Sequence, residues 1–352
     1  MPEAKERDYQ NRIRAQIAQY ANPDGLIQLG SIHHYWINKH IVPRIAEVFG
    51  VHDVLLFYAK YTAEALRQPG ASRRIVSLGA GDCRYEILLI KKLLEMGETD
   101  FVLEAIELSP LRFDHARASA SAAGVGEHLL LTQGDLNTWV DTEKYSVVIA
   151  KDTLHHVLEL EHLFDAIHGS MEENGVFLTT DMIGRNGHMR WPESLEIIQA
   201  IWQFIPDHYK LNHQLKRVEK EYDNWDCSKK GFEAIRAQDI LPLLVEKFTF
   251  RGFLGFGNLP DIFIDRGFGH NLNVDNPHDT GFIDFLEYLN SLLIDLGYLK
   301  PTMIYGVMTR RNQNAPPPNC YRHWTPEFCI RAGEPRRDQR VTSRTPAVLI
   351  PP

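Results

Sequence analysis

The middle of the chain alternates short apolar runs with amphipathic stretches. Five runs are rich in β-branched and large apolar residues and end at or close to a Gly, Ser or Asp: RRIVSLGAG, DFVLEAIELS, LLLTQGD, YSVVIAKD and GVFLTTDM. Each predicts a strand of a buried parallel sheet. Between them, apolar residues recur every three or four positions, which predicts helices in YEILLIKKLLEMG, SPLRFDHARASASAAG and LEHLFDAIHGSME. The alternation predicts a doubly wound α/β fold.

Two later runs, EKFTFRGFLGF and PTMIYGVMTR, predict two more strands, and each follows a helical stretch. The residues before the first strand and those around WPESLEIIQAIWQFIP have helical patterns outside the alternation. We therefore expect three parts. They are a helical amino-terminal cap over residues 1–70, a sheet domain over 71–310 with helical inserts at 182–245 and 257–300, and a tail rich in Pro and Arg over 311–352.

The composition indicates a globular protein with an acidic body and a basic tail. Of 352 residues, 44% are hydrophobic and 24% are charged, close to the average of globular proteins. The net charge is −8, yet residues 309–352 hold eight arginines and three acidic residues, so this tail carries +5 and the rest −13. An acidic body does not attract a phosphate backbone, so we expect no nucleic-acid partner. The opposite charge of the tail favours docking on the body.

The sequence carries no signal for export, a membrane span or a metal. The four cysteines are too few and too scattered for a disulfide framework or a structural zinc site. The charged amino terminus lacks a signal-peptide core, and no stretch approaches about 20 apolar residues. The 16 histidines form no HExxH pattern. We expect a cytoplasmic protein with no membrane contact and no metal, and we keep Mg²⁺ held by Asp152, Asp181 and Asn186 as an alternative.

A glycine turn, Gly79–Gly81, directly follows the first predicted strand. Glycines here let backbone amides and a helix start approach a nucleotide. Glu107 ends the second strand, where a carboxylate can accept hydrogen bonds from both ribose hydroxyls, and Asp135 follows the third, where it can reach an adenine amine. A dinucleotide fits less well, because Arg84 replaces the third glycine and Glu107 lies 26 residues after Gly81 instead of about 20.

These features resemble those of the class I S-adenosylmethionine-dependent methyltransferases, over about residues 70–310. The resemblance implies a Rossmann-like, mostly parallel seven-stranded sheet with a reversed last strand, S-adenosylmethionine as the cofactor and S-adenosylhomocysteine as its product. It implies cofactor contacts at the ends of the first four strands: Leu78, Gly79, Ala80, Gly81, Glu107, Leu108, Asp135, Leu136 and Lys151. Ser77 and Cys83 depart from the family's motif, which has an acid and a third glycine at these positions.

The segment after the fourth predicted strand, AKDTLHHVLELEHLF, holds the titratable groups that the resemblance places beside the transferred methyl group: Asp152, His155 and His156. Methyl transfer is an in-line displacement that needs an aligned acceptor and, where the acceptor carries a proton, a base. A histidine with a pKa near neutral suits this task. Asp152 and His156 are four residues apart, which predicts a pair on one helical face and favours His156. For either histidine, capping a helix or lining the cofactor pocket is the alternative.

Polar and aromatic residues in the loops and the cap predict the acceptor site, because loops at this edge of the sheet carry substrate contacts. The candidates are Asp181, Arg185, His188 and Trp191 after the fifth strand, Arg266 and His270 between the two late strands, and Tyr35 and Trp36 in the cap. Core packing is the alternative for Tyr35 and Trp36. The predicted function is methyl transfer to a small molecule in secondary metabolism. Methylation of a peptide or protein side chain, a nucleoside-binding regulator without catalysis, and a homodimer stay open.

Overall fold

The computed structural model describes residues 2–19, 28–229 and 231–332, so the last part of the predicted tail lies outside the described residues. The strands in these ranges are β1 (Arg74–Leu78), β2 (Val102–Glu107), β3 (Leu129–Gln133), β4 (Tyr145–Lys151), β5 (Met171–Met182), β6 (Leu211–Asn212), β7 (Arg217–Val218), β8 (Phe248–Phe256), β9 (Met303–Arg310) and β10 (Asn319–Cys320). Within them, eight strands form one sheet in the order β10-β8-β9-β5-β4-β1-β2-β3, and β6 and β7 form a separate hairpin.

Strands β1 to β5 are parallel, as their continuous apolar runs predict. Ile75, Val147 and Phe177 are completely buried, because helices cover both faces of the sheet. The order of the strands reverses between β1 and β4. In open α/β sheets, ligands bind at such a reversal, outside the carboxyl ends of the strands.

The predicted reversed strand is present as β9, which is antiparallel to both β5 and β8. This confirms the Rossmann-like, mostly parallel fold. The sheet has eight strands where seven were predicted, because Asn319 and Cys320 of the tail pair in parallel with Gly252 and Phe253 of β8. A two-residue strand close to three prolines has no apolar run or alternation from which it can be predicted.

The helices flank the sheet and build the cap and the inserts. Their bounds are α1 (Pro2–Gln19), α2 (Ser31–Trp36), α3 (Val42–Phe49), α4 (Val54–Leu66), α5 (Arg84–Glu95), α6 (Phe113–Ala122), α7 (Leu160–Ser170), α8 (Pro192–Phe204), α9 (Ala237–Lys247), α10 (Asp261–Ile264), α11 (Pro277–Asp295) and α12 (Pro326–Cys329). Asp53 caps α4 by accepting a hydrogen bond from the Leu56 amide (2.7 Å). In the described part of the chain, none of the helices combines the length and apolar character needed to cross a bilayer.

The described part of the tail packs against the body, as its charge predicts. Trp324 is fully buried, and its indole N–H donates to Asp295 at the end of α11 (2.7 Å). Arg331 donates twice to Glu193 in the first turn of α8 (2.8 and 3.2 Å), and its guanidinium lies 4.4 Å from the centre of the Trp191 ring. The tail is therefore docked on the body from β10 to Arg331.

Candidate functional site

The glycine turn is fixed to the end of β2. The amides of Gly79 and Ala80 both donate to the carbonyl of Ile106 (2.8 and 3.1 Å). Gly79 has φ of 73° and Gly81 has φ of 60°, a region that favours glycine. A Cβ atom on Gly79 would also lie 2.6 Å from the side chain of Thr153. Both the backbone conformation and the close approach of Thr153 thus require glycine at position 79.

Glu107 reaches back to this turn. Its Oε2 accepts a hydrogen bond from the Gly81 amide (2.9 Å), and its Oε1 accepts one from the Ser109 amide (3.0 Å). The carboxylate is half-buried, as are Leu108 beside it and the glycine turn. The sequence-predicted turn and acid are therefore in direct contact at the carboxyl end of the sheet, and the ribose contact of Glu107 stays a prediction.

Asp135 lies under the amino-terminal helix α1. The Tyr9 hydroxyl donates to Asp135, and the backbone and side-chain amides of Asn137 donate to its other oxygen (2.9 and 3.0 Å). Burial and this carboxylate raise the pKa of the Tyr9 phenol. Arg12 anchors the same helix by donating to the carbonyls of Ser228 (3.0 Å) and Gly231 (2.6 Å). The adenine contact of Asp135 stays a prediction, as does the cofactor contact of its half-buried neighbour Leu136.

A buried acid, Glu86, lies next to Ser77, the position at which the methyltransferase motif has an acid. Ser77 replaces that motif acid, and its hydroxyl donates to Glu86 in the first turn of α5 (2.8 Å). Burial raises the pKa of Glu86 to about 7. Cys83 is also buried, and burial raises its thiol pKa, so it lacks the thiolate character of a nucleophile.

We expect Glu86→Gln to stabilise the protein at pH 8 and to have little effect at pH 5. The pKa of Glu86 is raised on folding, so the native state holds a proton that the unfolded state has released, and stability falls as the pH rises from about 4.5 through 7. A neutral amide avoids this cost, which we put at about 1–3 kcal/mol. Urea unfolding at both pH values measures it, with the exposed Glu127→Gln as control. An equal effect at the two pH values contradicts the raised pKa.

A short turn after β4, Leu154–His156, presents two histidines. Asp181, completely buried at the end of β5, shapes this turn by accepting hydrogen bonds from the amides of Thr153 (2.8 Å) and Leu154 (2.6 Å). It also accepts one from Nδ1 of His155 (2.6 Å). Burial disfavours a charge on His155, but the Asp181 carboxylate outweighs it and raises the pKa of His155 to about 9.

Glu233, close before α9, brings three imidazoles together. Its Oε1 lies 2.7 Å from Nε2 of His188 and 3.7 Å from Nε2 of His155, and its Oε2 lies 3.8 Å from Nδ1 of His156. Burial opposes the charge on Glu233, but its hydrogen bond with His188 and the other two imidazoles hold its pKa well below the usual range. Burial and the neighbouring His155 lower the pKa of His156 to about 3.

The predicted pair of Asp152 and His156 does not form. Asp152 has φ of 51° and its carboxylate accepts a hydrogen bond from Lys151, whose ammonium also lies 5.1 Å from the centre of the Tyr85 ring. The pairing prediction fails because a tight turn follows β4, so helical spacing does not apply there. The imidazole that a carboxylate orients is His155, and the carboxylate is Asp181.

Asp181 is a positioning residue, which corrects its prediction as an acceptor contact. His155 and the Met182 amide (2.7 Å) donate to Oδ1, and two amides of the histidine turn donate to Oδ2. The amide oxygen of Asn186 accepts a hydrogen bond from the Gln238 amide (3.2 Å). The oxygens of Asp181 thus accept hydrogen bonds within the chain, and the alternative Mg²⁺ site stays a prediction.

The other predicted acceptor residues divide between the loop after β5 and the cap. Arg185 lies 5.5 Å from the centre of the buried Trp191 ring and donates to the carbonyl of Arg190 (3.1 Å). The roles of Arg185 and Trp191 stay predictions. So does the role of His188, which belongs to the imidazole cluster, the group formed by His155, His156, His188 and Glu233.

In the cap, Trp36 is buried in the core, and its indole N–H donates to Glu287 (2.8 Å), which corrects its prediction as an acceptor contact. The Tyr35 hydroxyl donates to Asp284 (3.0 Å) of α11. His270 and Arg266 are exposed, and Nε2 of His270 lies 2.7 Å from the carbonyl oxygen of Gln28. None of these hydrogen bonds joins the cap residues to the imidazole cluster.

The sequence predictions missed Tyr9 and Glu233. Tyr9 is 126 residues from Asp135, and Glu233 is 78 residues from His155, so no local motif contains either pair. Glu233 lies in GFEAIRAQD, which was predicted only as part of a helix. The sequence signal that could have led to Glu233 is the polar loop after β5. It holds His188, whose partner had to come from another part of the insert.

No protein-family model and no curated protein matches the chain. Among solved structures, the chain is similar to StiE O-MT at 12% identity, covering 72% of this chain and 74% of that one, with a TM-score of 0.39. It is similar to the cyclase SpnF at 11% identity, covering 72% and 79%, with a TM-score of 0.39. It spans about half of the glycopeptide N-methyltransferase MtfA, at 19% identity, covering 39% and 55%, with a TM-score of 0.28. At these values the similarity assigns no chemistry to this chain.

Proposed function

We propose that this protein is an S-adenosylmethionine-dependent methyltransferase that acts on a small molecule. The observation that carries the proposal is the meeting of the glycine turn and Glu107 at the ends of β1 and β2, with Asp135 following β3 next to them. Backbone amides, a ribose acid and an adenine-side acid at adjoining strand ends suit one adenosyl group. S-adenosylmethionine is therefore the proposed cofactor and S-adenosylhomocysteine the product.

The acceptor site is proposed at the imidazole cluster, because β4 and β5 continue the same edge of the sheet beyond the cofactor strands. Thr153 links the two regions, since its amide donates to Asp181 and its side chain packs against Gly79. An acceptor aligned here would meet the methyl group in line with the breaking carbon–sulfur bond. The electron pair of that bond stays on sulfur, and a proton leaves the acceptor where it carries one.

The insert and the helix α1, which lie around the imidazole cluster, favour a small acceptor. The insert between β5 and β8 supplies His188 and Glu233, and α1 is anchored to the same insert through Arg12. An enclosed site excludes water from a displacement at a charged donor. A peptide or protein side chain would need an open groove. The proposal includes a cytoplasmic role in secondary metabolism and a homodimer.

The direct test is calorimetry with S-adenosylhomocysteine. We expect one site per chain with a Kd of about 1–100 µM, and no comparable binding of NAD, because the turn lacks the third glycine of a dinucleotide site. Absence of binding at millimolar ligand would overturn the proposal. Binding without methyl transfer to any acceptor in a broad small-molecule panel would favour the nucleoside-binding regulator.

The histidine base is tested by kinetics once an acceptor is known. The pKa of His155 is raised to about 9 and that of His156 is lowered to about 3, so His156 is the imidazole that can accept a proton near neutral pH. We expect His156→Ala to lower kcat by about 100-fold or more while the affinity for S-adenosylhomocysteine stays unchanged. The exposed His115→Ala, on α6, is the control. If His156→Ala keeps the wild-type kcat, this imidazole is not a base, and alignment of the acceptor alone supports the reaction.

A further inference from the structure

We propose that His155, His188 and Glu233 form a binding site for one divalent transition-metal ion, with Zn²⁺ as the best match. One ligand atom of each side chain lies within 4.8 Å of the other two. Nε2 of both histidines faces Oε1 of Glu233, so we take these three atoms as the ligands. Two imidazoles and one carboxylate are a ligand set that zinc and related ions use in proteins. This site departs from the sequence prediction that the chain holds no metal.

The distances are compatible with a shared ion. Zinc binds imidazole nitrogen at about 2.0–2.1 Å and carboxylate oxygen at about 2.0–2.2 Å, so tetrahedral ligand atoms lie about 3.3 Å apart. Oε1 of Glu233 lies 2.7 Å from Nε2 of His188 and 3.7 Å from Nε2 of His155. These two values bracket the required separation, and no pair among the three ligand atoms is more than 4.8 Å apart.

Asp181 supplies the support that a metal-binding histidine needs. Its oxygen lies 2.6 Å from Nδ1 of His155, so Nδ1 keeps its proton for Asp181, and Nε2, which faces Glu233, becomes the ligand atom when a metal ion displaces its proton. A carboxylate behind the imidazole in this way is the usual arrangement at zinc sites. Because Asp181 is held by three backbone amides, the ring of His155 has one fixed orientation.

The backbone around His188 is held in a costly conformation that aims its side chain at the cluster. His188 has φ of 55°, a region that residues other than glycine rarely adopt and that costs about 1–2 kcal/mol. The preceding Gly187, with φ of 68°, is tightly packed, since a Cβ atom there would lie 2.0 Å from the side chain of Asp226. Its amide donates to the carbonyl of Ala234, next to Glu233 (2.9 Å). The loops that carry two of the three ligands are thus fixed to each other.

The burial of the ligands points to a site with an open coordination position. The His155 side chain is 4% exposed, whereas His188 and Glu233 are 27% and 21% exposed. Sites with three protein ligands keep the fourth position for water or substrate, whereas structural zinc sites are closed by four. Resting on the proposed function, we place the acceptor's oxygen or nitrogen at this position, where the cation would polarise it. Mg²⁺ and Ca²⁺ fit poorly, because they prefer oxygen ligands.

The experiment uses the full chain without an affinity tag, stripped of metal with a chelator, and Zn²⁺ alone as the probe. We expect one Zn²⁺ per chain in calorimetry, with a Kd of about 1 µM or lower. Glu233→Gln and His188→Ala are expected to weaken binding about 100-fold or more. His115→Ala and Glu127→Ala, exposed residues on other elements, are matched controls that keep wild-type affinity. Wild-type protein loaded with Co²⁺ should show the visible bands of a four- or five-coordinate ion with nitrogen and oxygen ligands.

Two results overturn the proposal: no stoichiometric Zn²⁺ binding by the stripped wild-type chain, or binding that survives both cluster substitutions. If a variant does not fold, as thermal unfolding reports, the Co²⁺ spectrum of the wild type decides, and an octahedral spectrum or none contradicts the site. S-adenosylhomocysteine is titrated into the same samples. Loss of that binding with Zn²⁺ retained rejects the proposed function alone, and the reverse pattern rejects only the metal site.

Discussion

Glu107→Ala is expected to weaken the binding of S-adenosylhomocysteine by about 100-fold or more. Hydrogen bonds to a charged group contribute about 1.5–3 kcal/mol each, and the proposed ribose contact gives the carboxylate two of them. The substitution also removes the acceptor of the Gly81 amide, so the glycine turn loses its link to the end of β2. Calorimetry on the purified variant measures the change in Kd.

Two further variants show whether the carboxylate itself is responsible. Glu107→Gln keeps an acceptor for the Gly81 amide but loses the charge, so its affinity should fall between those of the wild type and the alanine variant. Glu127→Ala, in the exposed segment before β3, should bind as the wild type does. An alanine variant at position 107 that is folded and binds within threefold of the wild type would remove the ribose contact from the proposal.

Asp181→Ala is expected to destabilise the protein by about 3–5 kcal/mol, the range for breaking a buried ion pair. The side chain is completely buried and accepts hydrogen bonds from the amides of Thr153, Leu154 and Met182 as well as from His155. Its loss leaves these buried donors without an acceptor, each at a cost of about 1–3 kcal/mol before relaxation. Urea unfolding followed by circular dichroism measures the free-energy difference.

Asp152→Ala is the matched control, because this acid precedes the same turn but is exposed and pairs with Lys151 at the surface. We expect its effect on stability to stay within about 1 kcal/mol, as for other surface ion pairs. If the two substitutions cost the same, Asp181 does not hold the histidine turn. In that case the orientation of His155, on which the metal proposal rests, loses its support.

The sequence located the cofactor edge because that edge is built from local signals. Each buried parallel strand is a continuous apolar run, and the glycine turn and the acid at the end of β2 stand at strand ends that periodicity alone defines. Parallel strands place their carboxyl ends at one edge, so Gly79, Glu107 and Asp135 had to come close together once the strand order was right. Strand β9 followed from its own apolar run, whereas its reversed direction followed from the resemblance.

The sequence predicted the histidines of the imidazole cluster but not their partners. Both histidines after β4 and His188 after β5 were identified from their position at the sheet edge. Helical spacing then suggested Asp152 as the partner of His156, whereas the chain turns tightly and gives Asp181 to His155. A side-chain pairing rule holds only for the backbone conformation it assumes, and the conformation of a three-residue turn is set by its hydrogen bonds to β5.

By itself, the sequence determined the alternation of strands and helices, the glycine turn, the acids at the strand ends and the opposite charges of the tail and the body. The tertiary structure decided which distant side chains meet: Tyr9 with Asp135, Glu233 with three histidines, Arg331 with Glu193, and Asn319 with the edge of β8. The physical reason is the sequence separation over which each kind of interaction acts. Periodicity and turn chemistry act over a few residues, whereas contacts across tens to hundreds of residues depend on how the inserts and the cap pack on the finished sheet.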